Sequence, residues 1–372
     1  MIWMNVARPS DGRKVIDVRV REVVHLPFTN YWQPSHVFCA QGKLLADRVS
    51  VMSQTEVMRD LHSAATSHRG DRIFNRIITA AAFTSLLVLA GIAIFLGYQA
   101  LPAFQTQGLA FLTTTDWDIN TDPPTAGIWG MLYGSVLLSL IGLVIAVPAS
   151  ILLSIFIVFL APKKLASGLT NLIDLMAAIP SVILGLWAFY ILNPTAEEWQ
   201  SLLNQYLGWF PLFENVSGNF LGTPFIAGFV LAIMMIPIIT SVTREVLGRT
   251  PPDLINASEA LGCSLWTMLR YVALPYGRGG IVGGVMLGLG RALGETIAVF
   301  FVLKIVFDTN WYNIIESGGG SVATLIVSRF GEVTGPFELQ LLLAAGFFLF
   351  LMTLVVNVIA NLIVSRTGRL QK

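Results

Sequence analysis

The sequence predicts an all-α polytopic membrane protein, and three observations carry that prediction. Of its 372 residues, 55% are hydrophobic and only 12% charged, about half the charge that soluble domains carry. Six apolar stretches are each long enough to cross a bilayer, for which a helix needs roughly 20 residues. The basic residues collect on alternate connections between those stretches. Together these exclude a soluble enzyme.

The six stretches are 77–98, 130–161, 169–192, 224–243, 280–304 and 339–364. The second is long and carries Pro148 near its middle, where the missing backbone donor favours a kink. It is read as one bent helix because of the charges around it. The connections 99–129 and 193–223 contain no Lys or Arg, and they carry Asp116, Asp118, Asp122, Glu197, Glu198 and Glu214. By contrast, Arg69, Arg72 and Arg76 precede the first span, and Lys163 and Lys164 separate the second from the third. Arg244, Arg249, Arg270 and Arg278 follow the fourth, and Arg366, Arg369 and Lys372 follow the last. With six spans all of these clusters fall on one side, which the positive-inside rule makes cytoplasmic, and both termini lie there too. The connection 305–338 is the exception, since Lys304 precedes it and it contains Arg329.

Residues 1–70 are polar, hold Pro9, Pro27 and Pro34, and include no spanning run. They read as a cytoplasmic tail, disordered or in its first fifty residues the product of a start set too early, with Met52 and Met58 as alternative starts. The permease body is expected over 71–366 and a short cytoplasmic end over 367–372. Cys39 and Cys263 are the two cysteines, far apart and in no disulfide or metal-ligand pattern. No metal site is expected.

The connection 250–275 has the densest local signals. Thr250 can cap a helix with Pro251 in its first position and Asp253 in its first turn, and Gly262 is placed to end it. Ser264 can cap a second helix running through Val272 and stopping before Pro275. The result is a compact helix–turn–helix on the cytoplasmic face.

The fifth span carries Arg291 and Glu295 inside an apolar run. Charges at membrane depth cost several kcal/mol and call for a partner or a water-lined cavity. On a helical wheel, Gly280, Gly284, Gly288 and Ala298 share a sector of roughly 80° with both charged residues. Bulky Val282, Met286, Leu289, Leu293 and Phe300 lie opposite. The small stripe admits close approach of another helix. The charged pair then either bridges helices or lines an anion path, and the residues alone leave both readings open.

Two sets of motifs resemble a known family. Asn256-Ala257-Ser258, Gly262 and Val272-Ala273-Leu274-Pro275 are similar to the cytoplasmic signature of ABC-importer permeases, with Asn256 where that signature has Glu. The run from Met286 to Thr296 resembles the PstC-type permeases of bacterial phosphate ABC importers. So do Ala177–Ser181 with Gly185-Leu186-Trp187, Leu231–Pro237, Gly108–Leu112 and Trp117-Asp118.

The resemblance implies a type I ABC-importer permease fold in the bacterial plasma membrane, translocating inorganic phosphate. It implies a coupling loop formed by Asn256, Ala257, Ser258, Gly262, Leu274 and Pro275. It places Arg291 and Glu295, with Gly284 and Gly288, along the substrate path. The implied partners are a related second permease subunit, two nucleotide-binding ATPase subunits, an extracytoplasmic phosphate-binding protein and membrane lipid, with no nucleic acid.

No Gly-x4-Gly-Lys-Ser/Thr run occurs, so the chain has no phosphate-cradling loop for ATP. No catalytic residue or bound cofactor is expected, and ATP would be used by the partner ATPase. Pro148, Pro180 and Pro237 are candidate bending points for alternating access. Another oxyanion, such as molybdate, tungstate or sulfate, stays open as substrate. A secondary anion transporter would need no docking loop, and the spacing from Ala257 to Pro275 argues against it.

Overall fold

The computed structural model describes residues 68–119, 121, 124–307 and 313–368. The expected tail thus lies almost wholly outside the described residues, as do Cys39 and the last four positions. The chain divides into two compact units, residues 1–83 and 84–372. Of the first, the described part is the opening of helix α1 (His68–Gln107), whose residues 70–83 are exposed.

Among the described residues the regular elements are helical apart from one small hairpin, in which β1 (Trp117–Asp118) pairs antiparallel with β2 (Thr125–Ala126), and one isolated parallel bridge between Ile305 and Gly319. The last turns of α1 bury Ala100 and Ala103, and Phe104 meets Phe348 edge-on at 5.2 Å. The second span is a single unbroken run, α2 (Trp129–Ile155) continuing through a π turn at Phe156–Leu160, with Pro148 inside it.

The third expected span is corrected. Lys163–Ala177 (α3) and Ser181–Leu207 (α4) meet at a 93° bend instead of forming one straight helix over 169–192. The cause is Pro180, which disfavours helical backbone at the residue before it. The end of α3 tightens, with the Ala178 and Ile179 amides donating to the Leu175 and Met176 carbonyls, and Pro180 turns extended at φ −59°, ψ 135°. Of the three candidate hinge prolines, Pro180 alone stands at such a bend, because α2 and α5 (Pro224–Gly248) both continue through theirs.

Helix α5 is the axis of the bundle, with 61% of its apolar window buried against none for α1. The Thr223 oxygen accepts from the Ile226 amide at its start, and the Thr223 hydroxyl donates to the buried Gln200 of α4 at 2.6 Å. On one side α2 is tied to it through Ser150 and Ser154, whose hydroxyls donate to the Ile236 and Thr240 carbonyls, each at 3.2 Å. Such bonds satisfy polar groups where no water is available. The other side of α5 receives α7, described below.

After the short α6 (Pro252–Ala260), α7 runs from Leu265 to Leu293. Pro275 does not stop it. A π turn at Leu269–Ala273 absorbs the proline, so the second half of the expected helix–turn–helix and the fifth span are one helix. That helix ends at Leu293, short of the expected 304, and α8 (Ile297–Val302) follows a break.

The segment 313–321 buries Ile315 completely. It leads to α9 (Val322–Phe330), opened by a Ser321–Thr324 capping box, and then to α10 (Pro336–Gly368). Where this connection crosses α2, a Cβ on Gly134 would overlap the Gly320 carbonyl. Gly134→Ala is therefore expected to destabilise the protein by about 1–3 kcal/mol. Thermal unfolding in detergent would measure this, with Gly168→Ala, which meets nothing within 4 Å, as the unaffected control.

Candidate functional site

The charged pair of the fifth span sits at the junction of α7 and α8. Gly294 closes α7, its amide donating to the Arg291 carbonyl at 3.2 Å, and Thr296 departs from helical geometry at φ −116°, ψ −60°. Arg291 thus occupies the last turn of α7, and Glu295 lies in the break. The four-residue spacing no longer places them on one helical face, which corrects the wheel beyond Leu293.

Arg291 is exposed in the chain, and among the described residues it enters no ion pair. Glu295 is half-buried, and its Oε1 accepts from the Ala298 amide at 3.4 Å. A carboxylate there satisfies an orphan donor at the start of α8. The two charges therefore have different surroundings: Glu295 engages the start of α8, and Arg291 enters no ion pair among the described residues.

Gly284 and Gly288 are buried and face α5 rather than an open path. A Cβ at Gly284 would meet Val242 at 3.1 Å, and one at Gly288 would meet Ile239 at 2.9 Å. The small stripe is the seam by which α7 lies close on α5. Ala298, also on the expected stripe, is fully buried beneath α4 instead. A Cβ on Gly185 would come within 2.8 Å of its Cα, so α4 crosses α8 at backbone contact.

The knob between α5 and α7 is built as expected at its turn and differently at its start. Thr250 does not cap α6; its hydroxyl donates back to the Leu247 carbonyl at 2.8 Å, and Pro252 is the first helical residue. Proline suits that position because its missing amide has no partner to lose there. Gly262 adopts φ +75°. Its amide donates to the Glu259 carbonyl at 2.9 Å and the Cys263 amide to the Ser258 carbonyl at 3.1 Å, the paired bonds of a Schellman stop. Ser264 then caps α7 by accepting from the Thr267 amide at 3.3 Å.

The six expected coupling residues divide into two groups. Asn256, Ala257 and Gly262 are exposed on the knob, whereas Ser258 is buried and donates to the Ile255 carbonyl. Leu274 and Pro275 lie in α7, and Leu274 packs on the cluster around Leu247 and Met268. The knob's outer surface also holds Leu254, Leu261, Leu265, Trp266 and Tyr271, which the signature does not single out. Their signal was available in the sequence: large apolar side chains in a polar connection between spans.

Arg329, the exception to the charge rule, is compensated locally. Its Nη1 reaches Glu332 Oε2 at 2.8 Å, and its guanidinium stacks 5.3 Å from the Phe307 ring centre.

The family described as binding-protein-dependent transport system inner membrane component matches residues 146–369. The phosphate transport system permease proteins PstC 2 of Mycobacterium bovis and Mycobacterium tuberculosis are each 39% identical over 300 residues, covering 80% of this chain and 92% of theirs. The phosphate transport system permease protein PstC of Xylella fastidiosa strain Temecula1 is 37% identical over 320 residues, covering 84% of this chain and 94% of its own. Among solved structures, a bacterial ABC transporter involved in the import of the acidic polysaccharide alginate aligns at TM-score 0.47 and 18% identity, over 81% of this chain and 100% of that one.

Proposed function

Since the chain belongs to the family of binding-protein-dependent transport system inner membrane components, we propose that it forms half of the membrane channel of an ATP-driven phosphate importer. The observation that carries the substrate is the 39% identity along 92% of the length of relatives named as phosphate permeases. The geometry indicates how such a chain would work. Arg291, which enters no ion pair among the described residues, offers a planar fork of donors suited to two oxygens of a tetrahedral oxyanion. Glu295 does not compete for it, because that carboxylate is engaged at the start of α8.

The chain supplies no ATP-binding loop, so the energy comes from two ATPase subunits below the knob at 250–275. A related permease subunit completes the path, and an extracytoplasmic binding protein delivers phosphate against the acidic outer connections. Both termini lie in the cytoplasm. On this reading ATPase closure carries the knob, the rigid α2–α5–α7 seam transmits the movement, and the breaks at 178–180 and 294–296 change angle.

Reconstituted uptake of labelled phosphate tests the substrate. Unlabelled phosphate should suppress uptake, and tungstate, molybdate and sulfate should leave it largely intact. If tungstate competes and phosphate does not, the chain serves another oxyanion.

A further inference from the structure

The outer side of this chain is acidic, yet it must receive an anion. The connections 99–129 and 193–223 hold six carboxylates and no Lys or Arg, and Arg329 is occupied by Glu332 and Phe307. That leaves Lys304, two residues beyond the end of α8. It is exposed, and among the described residues it enters no ion pair. It lines an open cleft of about 380 Å³ with Asn193, Asn219, Gly222, Phe189 and Phe301.

The cleft is held from both walls. Lys304 donates its amide to the Gly222 carbonyl at 3.2 Å and accepts from the Gly319 amide at 3.0 Å. Gly222 sits at φ +68°, and a Cβ there would come within 2.8 Å of the Lys304 amide nitrogen. The buried Asn193 closes the corner, donating to the Val302 carbonyl and accepting from the Gly222 amide, each at 3.3 Å. With its backbone held by two hydrogen bonds, Lys304 has a defined origin for its charge. Asn219 accepts from the Leu221 amide through Oδ1, which leaves its side-chain N–H groups as further donors at the cleft.

Arg291 lies in the last turn of α7 and Lys304 two residues beyond α8, so the chain between them is the break at 294–296 and the six residues of α8, a helix that rises about 9 Å. Gly294 and Ile297 are exposed between them. Building on the phosphate reading above, we propose that Lys304 is the outer contact of the anion path. It would take the oxyanion as it leaves the delivering protein and pass it along α8 to Arg291. Two cations, one on either side of α8 along the chain, would let an anion move between sites without crossing the acidic face unaccompanied.

The test uses the complete importer in vesicles of phosphatidylcholine, with and without added anionic lipid, supplied with loaded binding protein. Uptake by the wild-type importer comes first. If it takes up no phosphate, the functional reading fails and Lys304 is not at issue. Given uptake, Lys304→Gln should lower the rate about fivefold at low salt, the effect of losing one contact between unit charges in water. Lys304→Arg should restore at least half of it, Lys304→Glu should fall further, and the Gln deficit should shrink at high salt. ATP hydrolysis stimulated by loaded binding protein should persist in all three variants. The proposal is overturned if Lys304→Gln transports like wild type, or if Lys304→Arg falls as far as Lys304→Gln. It is equally overturned if stimulated hydrolysis disappears with uptake, which would make Lys304 a protein contact, or if the deficit appears only with anionic lipid, which would make it a headgroup site.

Discussion

Arg291→Gln is expected to reduce phosphate uptake by at least tenfold while the importer assembles normally. A hydrogen bond to a charged group contributes about 1.5–3 kcal/mol, and losing it where the anion is desolvated corresponds to roughly 10- to 150-fold. Assembly should survive because Arg291 is exposed and holds no other described residue in an ion pair. Arg291→Lys keeps the charge but loses the planar fork, so it should transport at an intermediate rate. Glu295→Ala is expected to act differently, by loosening the start of α8 at a cost of about 1 kcal/mol. Uptake in proteoliposomes, set beside gel-filtration profiles of the purified complex, separates these outcomes. If Arg291→Gln failed to assemble, the arginine would be a bridge between subunits and the path would have to be placed elsewhere.

The second large effect is expected at the knob. Leu261 is 83% exposed and Trp266 64% at the tip of a polar connection, neither of them buried by any described residue. Exposed apolar anchors of this kind mark a binding surface, and a buried Trp at an interface commonly contributes 2 kcal/mol or more. Leu261→Asp combined with Trp266→Ala should weaken capture of the ATPase subunits by about 30-fold or more. Co-purification with the ATPase and transport would both fall, and thermal stability of the permease alone would hold. Retained co-purification would show that the ATPase docks elsewhere.

The spans were legible because roughly 20 apolar residues in a row leave few alternatives, and α2, α5 and α10 lie where their runs place them. The breaks were less legible. Pro148 and Pro180 give the same local signal, a proline in an apolar run, yet only the second stands at a 93° bend. What differs is tertiary: Ser150 and Ser154 fasten α2 to the α5 backbone just beyond Pro148, and no sequence window contains both helices. Likewise Gly294 ends a helix while Gly284 and Gly288 lie inside it. The residue type is the same, and the outcome depends on which glycine faces α5.

For the candidate site, the positions of Arg291 and Glu295 were readable and their relation was not. The wheel assumed a continuous helix across both, and the break gives each charge its own neighbours. The coupling signature located the knob but mixed exposed Asn256 and Ala257 with buried Ser258 and packed Leu274. A spacing pattern records what holds a shape as well as what meets a partner. Exposure separates the two.

The turn at Gly262 has a consequence of another kind. A Cβ placed there meets nothing within 4 Å, yet the backbone stands at φ +75°. The position therefore selects by handedness and not by size. An L-alanine would oppose that backbone by about 1–2 kcal/mol, whereas a D-alanine, for which positive φ is the relaxed state, should be accommodated. The outline the knob presents is set by mirror symmetry at a single carbon atom.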